Sequence, residues 1–144
     1  MELTAEAIDR VVGAALAEDV GTGDLTTDAI VAADARCRGR IHVEEDGVVC
    51  GLDVARAVFR ALDGGLRFEA VAIDGESVAD GAGLAELDGS ARAVLTGERT
   101  ALNLLGRLSG IATLTRRYVD AVAGTGTRFN LPVRDAAGLE AHER

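Results

Sequence analysis

Ala35-Arg36-Cys37-Arg38-Gly39-Arg40-Ile41-His42-Val43 alternates without a break. Ala35, Cys37, Gly39, Ile41 and Val43 fall on one side, and Arg36, Arg38, Arg40 and His42 on the other. A period of two marks a half-buried strand, because successive side chains leave opposite faces of a pleated backbone. Downstream, Asp46-Gly47 reads as a turn and Val48-Val49-Cys50 as a short returning strand. Leu66 to Ile73 reads as strand, and Asp74-Gly75 and Asp80-Gly81 as turns. Leu84 to Leu87 and Ser90 to Leu95 read as two more short strands around an Asp88-Gly89 turn. Four or five short strands joined by Asp-Gly turns predict a small, mostly antiparallel sheet.

Helical spacing surrounds these strands. From Thr4 to Leu16, Ile8, Val11, Val12, Ala15 and Leu16 share a face, with Thr4 placed to cap the first turn. The glycines and short polar side chains of Glu18 to Thr27 then read as a loop. Leu52, Ala55, Val58, Phe59 and Leu62 form a second apolar face, ended by Asp63-Gly64-Gly65. In the last third, Thr96 is placed to cap a helix with Glu98 and Arg99 in its first turn. Ala101, Leu102, Leu104, Leu105 and Leu108 cover much of its girth and predict burial. Ser109 is placed to cap another helix, from Gly110 to about Ala123, with Ile111, Leu114, Tyr118, Val119 and Val122 inward. Gly124 and Gly126 stop it. Past Arg128 the pattern weakens, Pro132 interrupts, and Asp135 to Arg144 reads at most as a short polar helix. The fold class is α+β.

Composition narrows the function. Of 144 residues, 48% are hydrophobic and 3% aromatic, so small aliphatic side chains must fill a real core. The net charge of −9 disfavours phosphate backbones and anionic membrane surfaces as partners. All 15 basic residues are arginine, which excludes a Schiff-base lysine, a P-loop lysine and a lysine general base. Two cysteines, Cys37 and Cys50, do not suggest a disulfide scaffold in a chain of this size. Neither a secretory leader nor a run of about 18 apolar residues is visible. The default expectation is cytoplasmic.

Candidate sites are few. Gly21-Thr22-Gly23-Asp24 offers amides to an anion but lacks Walker spacing, so a structural turn is favoured. Cys37 and His42 fall on opposite strand faces, Cys50 has no paired ligand spacing, and His142 lies in the tail; no metal site is expected. Arg36, Arg38 and Arg40 read as a solvated face balanced by nearby acids, the alternative being a surface for an anionic partner. Arg99 has two readings. Its planar guanidinium matches a carboxylate bidentately, or it pairs with a neighbouring acid.

Two stretches carry a resemblance. Glu18-Asp19-Val20-Gly21-Thr22-Gly23-Asp24-Leu25-Thr26-Thr27 closely resembles a loop near the start of quinolinate phosphoribosyltransferases. Glu98-Arg99-Thr100-Ala101-Leu102-Asn103 and Leu108-Ser109-Gly110-Ile111-Ala112-Thr113 resemble their interdomain helix pair. Order, spacing and strand pattern agree from about Leu3 to Thr127; a related group implicated in molybdenum transport is the close confounder. The resemblance implies an α/β sandwich over residues 1–96, an interdomain helix pair over 97–127, and a divergent tail over 128–144 where a barrel would begin. It further implies head-to-tail subunits, each sandwich covering its partner's barrel. The implied reaction joins quinolinate to phosphoribosyl pyrophosphate, with magnesium, giving nicotinate mononucleotide, pyrophosphate and carbon dioxide. Arg99 would then reach a substrate carboxylate across the dimer, while Glu98, Asn103 and Thr113 orient helices. Past Arg128 the match fails. Arg134 echoes one arginine of the family's first barrel run, but Asp135, Ala136 and Ala137 replace its lysine and threonines. The expectation is a capping domain without its barrel, holding no catalytic residue, inactive alone, and forming a homo-oligomer or joining a barrel-bearing chain. A non-catalytic interaction module is the rival reading.

Overall fold

The computed structural model describes residues 4–21 and 23–127, with the backbone of two short strands beyond them. The order is α1 (Ala5–Asp19), α2 (Leu25–Ile30), β1 (Arg36–His42), β2 (Gly47–Val48), α3 (Leu52–Leu62), β3 (Arg67–Ala70), β4 (Ser77–Val78), β5 (Gly83–Ser90) and α4 (Ala91–Val122). Then come β6 (Val133–Arg134) and β7 (Glu140–Ala141), which pair with each other. The mixed helix-and-sheet class read from the sequence holds, and the described residues form no closed barrel.

β5 is the central strand, antiparallel to β1 on one side and β3 on the other. Its inward Ala85 and Leu87 meet Ile41, α3 and α4. The apolar face of α3 contributes Val54, Ala55, Val58 and Phe59, all at most 2% exposed. Burying a ring such as Phe59 stabilises the fold by roughly 1.5–3 kcal/mol, and it also stacks on Phe68 with centroids 6.1 Å apart. Val12 brings α1 into the same cluster, and Ala101 and Leu105 bring α4.

Several expectations need correction. Asp88-Gly89 is not a turn, since β5 runs straight through it, with Gly89 opposite Cys37. A Cβ at Gly89 would lie 2.7 Å from Leu66 Cγ, so glycine serves here to let the chain entering β3 pass close by. β2 does not return along β1 but pairs with β4, in a separate two-stranded sheet. The interdomain helix pair is one helix of 32 residues, about 48 Å long at the α-helical rise. Residues 91–95, expected as strand, are its first turn and a half, and Ser90 caps it by accepting from Ala93 N at 3.3 Å.

Ser109 does not cap a second helix because its hydroxyl is engaged with another segment. It donates to Cys50 O at 3.2 Å and accepts from Cys50 N at 3.0 Å. With no competing acceptor for the local backbone, α4 continues. Leu114, Tyr118 and Val119, expected inward, are exposed, because α4 outruns the sheet and α3 beyond Thr113. The short polar helix expected over Asp135 to Arg144 is not what the backbone forms at Glu140–Ala141, which is strand. The remainder of that stretch lies outside the described residues, as do Thr22, His142 and the side chain of Arg134.

Candidate functional site

Arg92, Thr96 and Thr100 recur every four residues along α4 and therefore stand one above another on one face. All three hold the segment from Asp19 to Val31. Arg92 donates from Nε to Val31 O at 2.8 Å and from Nη2 to Asp28 O at 2.9 Å, and its Nη1 pairs with the Asp28 carboxylate at 3.1 Å. Thr96 donates to Asp24 Oδ2 at 3.3 Å. Thr100, 1% exposed, donates to Asp19 Oδ2 at 2.7 Å. The two stretches that carry the family resemblance are thus hydrogen-bonded to each other.

Asp24 has a second task. Its Oδ1 accepts from Thr27 N at 3.0 Å and caps α2, a short helix that the sequence reading took for loop. The Thr27 hydroxyl and amide, with the Thr96 hydroxyl, hold the Asp24 carboxyl below its ordinary value. The missed signal was a capping aspartate three residues before Thr27, which returns its own hydroxyl to the cap. The Gly21 and Gly23 backbones take positive φ of 55° and 139° on the way into that cap, which accounts for both glycines as turn residues.

An open cleft of about 370 Å³ lies along this junction, lined by Asp19, Gly23, Asp24, Leu95, Thr96 and Arg99 among others. Arg99 is exposed on its rim. It does not stand at a helix start, as the sequence suggested, but two turns into α4, so the helix dipole does not act on it strongly. Among the described residues it forms no ion pair and no hydrogen bond. The neighbouring-acid reading therefore fails within those residues, although two carboxylates share its cleft. Leu95 and Leu102, at 47% and 41% exposed, flank Arg99 four residues before and three after. The rim is a cation set in an apolar stripe.

The other motif half has a structural role. Thr113 Oγ1 accepts from Val48 N at 2.8 Å and donates to Ser109 O at 2.7 Å. Together with Ser109 it fixes the strand entering α3, while Glu98 and Asn103 stay exposed. At α3 itself, Gly51 has no side chain to cap with, and Asp74 supplies the acceptors for Gly51 N at 2.9 Å and Leu52 N at 3.1 Å. Burial, and then the Asp74 carboxylate, push the Cys50 thiol up, which favours its protonated form. The Arg36, Arg38 and Arg40 face is an ionic lattice: Arg36 and Arg38 both pair with Asp88, and Arg40 with Glu86. That use of the cations favours the solvated-face reading. Among the described residues, no three His, Cys, Asp or Glu side chains gather into a metal ligand set, and no helix is long and apolar enough to cross a membrane.

Comparison with known proteins agrees with the motifs. A family profile described as "Quinolinate phosphoribosyl transferase, N-terminal domain" matches residues 24–109. A Synechocystis protein named "Probable nicotinate-nucleotide pyrophosphorylase [carboxylating]" is 40% identical over 129 residues, covering 90% of this chain and 43% of the relative. The chloroplastic nicotinate-nucleotide pyrophosphorylase (carboxylating) of Arabidopsis thaliana is 38% identical over 117 residues, 81% of this chain and 34% of its own length. Among solved structures, NadC from Streptococcus pyogenes superposes with a TM-score of 0.81 at 39% identity, over 85% of this chain and 44% of that one. The nicotinate-nucleotide pyrophosphorylase of Francisella tularensis gives 0.80 at 33% identity. The chain spans less than half the length of these relatives.

Proposed function

Since the chain belongs to the quinolinate phosphoribosyl transferase family by its match to the N-terminal domain, we propose that it serves as the substrate-capping part of an enzyme of NAD biosynthesis. That enzyme converts quinolinate and phosphoribosyl pyrophosphate, the latter carried with magnesium, to nicotinate mononucleotide, pyrophosphate and carbon dioxide. Residues 1–96 are the capping domain, 97–127 the interdomain segment, and 128–144 the tail.

The free guanidinium of Arg99 carries this reading. Quinolinate is a dianion, and a planar donor fork grips a carboxylate with two parallel hydrogen bonds. A cation carried on a rigid helix has its backbone already in place when the acid group arrives. It also holds the ring in place while its nitrogen meets the positive centre developing on the sugar. Arg99 stands on an exposed rim, so its acid belongs to a pocket outside this domain, in a partner's barrel. The apolar Leu95 and Leu102 beside it suit closure against that partner. Arg134 is retained as a second substrate-binding candidate, on the motif alone.

Quinolinate titration tests the assignment. With a barrel-bearing relative present, amide signals of residues 95–103 are expected to shift saturably in the wild-type chain and to lose the response in Arg99→Ala with the fold intact. No shift in wild type once the barrel-bearing relative is bound overturns the substrate role. The chain alone is expected to turn over no quinolinate; nicotinate mononucleotide formed by the pure chain contradicts that.

The exposed apolar stripe of α4 also favours a second reading, a non-catalytic association module. Light scattering is expected to show a homo-oligomer, or a complex when a barrel-bearing relative is added. A monodisperse monomer in both cases counts against association.

A further inference from the structure

Arg99 shares its cleft with Asp19 and Asp24, yet pairs with neither among the described residues. A flexible arginine beside two carboxylates is ordinarily expected to find one of them. Both carboxylates already accept hydrogen bonds. Asp19 receives the Thr100 hydroxyl at 2.7 Å, and Asp24 receives the Thr96 hydroxyl, the Thr27 hydroxyl and the Thr27 amide. Arg92, the other cation of this face, is used up on Asp28 and two carbonyls, which holds the far end of the same segment.

We infer that Thr96 and Thr100 are positioning residues that keep Arg99 free for an external carboxylate, by binding the two aspartates that would otherwise capture it. Thr96 lies three residues before Arg99 and is its neighbour on the helix surface, while Thr100 follows Arg99 directly and is buried. Each hydroxyl holds its carboxylate along the cleft that Arg99 rims. A hydroxyl is suited to this because it donates without adding a charge. A lysine or arginine in its place would compete with Arg99 for the incoming acid. The ligand class is a small dicarboxylate, and in that respect the inference rests on the function proposed above.

The test uses the full chain with Thr96→Val and Thr100→Val, separately and together, since valine keeps the shape and removes the donor. The first readout is solvent exchange of the Arg99 Nε–H by NMR. It is expected to slow severalfold in the valine chains as an aspartate closes on the guanidinium. Adding Asp19→Asn and Asp24→Asn is expected to restore the wild-type rate. The second readout is the shift of the same signal on titration with pyridine-2,3-dicarboxylate in the presence of a barrel-bearing relative, expected to need severalfold more ligand in the valine chains and to recover in the asparagine background. Arg99 exchange unchanged by the valines overturns the inference, as does slowing that the asparagines leave in place. If the double variant does not fold, Thr96→Val with Asp24→Asn as its rescue carries the same comparison. Exchange that behaves as stated while wild type ignores the dicarboxylate upholds the positioning and overturns the substrate assignment instead.

Discussion

The Thr100 hydroxyl donates to the Asp19 carboxylate at 2.7 Å across 81 residues of chain, joining the end of α1 to the first third of α4. Thr100 is buried and Asp19 exposed, so the two ends of this bond are not equivalent. Thr100→Val leaves a carboxylate that water can reach, and is expected to cost only about 1 kcal/mol. Asp19→Ala leaves a buried hydroxyl to find another acceptor, and is expected to cost as much or more. Urea unfolding of both variants checks the order; a Thr100→Val chain losing far more than Asp19→Ala contradicts it.

Asp24 sets an acid limit. Its carboxyl titrates below the ordinary 3.8 because Thr27 and Thr96 bond its charged form. A depressed folded value contributes stability that is present above 3.8 and lost as pH falls through the folded value. Asp88, held down by Arg36 and Arg38, acts in the same direction. Thermal midpoints of the wild type are therefore expected to fall below pH 4 or so, and Asp24→Asn, which keeps a capping oxygen without a charge, to flatten part of that fall. An Asp24→Asn profile that drops as steeply as wild type rules the contribution out.

Gly51 is held at φ 106° with Leu108 Cδ1 only 2.7 Å from where a Cβ would stand. Gly51→Ala meets both a left-handed backbone and a side chain of α4, and is expected to lose about 1–3 kcal/mol. Helix propensity gives no compensation, since Gly51 is the cap and not an interior residue. Chemical unfolding measures it; a neutral substitution would show that the α3–α4 junction relaxes.

Asp74→Ala removes the acceptor of two amides at the start of α3. The expected loss is about 1–2 kcal/mol, the usual range for a helix cap, with Asp74→Asn retaining part of it. Amide exchange at Gly51 and Leu52 is expected to rise first. Unaltered protection at those two amides would mean that other groups cap α3.

Arg99→Ala is expected to leave stability within about 0.5 kcal/mol of wild type, as for a surface residue without partners, while removing the quinolinate response. A loss of stability well beyond that range would assign Arg99 a structural role.

Periodicity alone located β1, α1 and α3, because each has one buried and one wet face, and burial on one side writes the period into the residues. Thr4 as cap and the Asp74-Gly75 and Asp80-Gly81 turns were equally legible, since their chemistry is local. The errors lie where a local signal had two uses. Ser109 looks like a helix cap, and Asp88-Gly89 like a turn, until the partner segments at Cys50 and Leu66 are present. α4 beyond Thr113 keeps an apolar period although Leu114 and Val119 there are exposed, so the inward reading followed the pattern and not the packing.

By itself the sequence determined the family and the α+β class and singled out Arg99 as a candidate, because motif identity and period are properties of order along the chain. It could not determine whether Arg99 was free, since that depends on which of two nearby aspartates a hydroxyl reaches first. Only the packing of α4 against the Asp19 to Val31 segment decided it. Hydrogen bonds act at about 3 Å in space, whatever the distance along the chain.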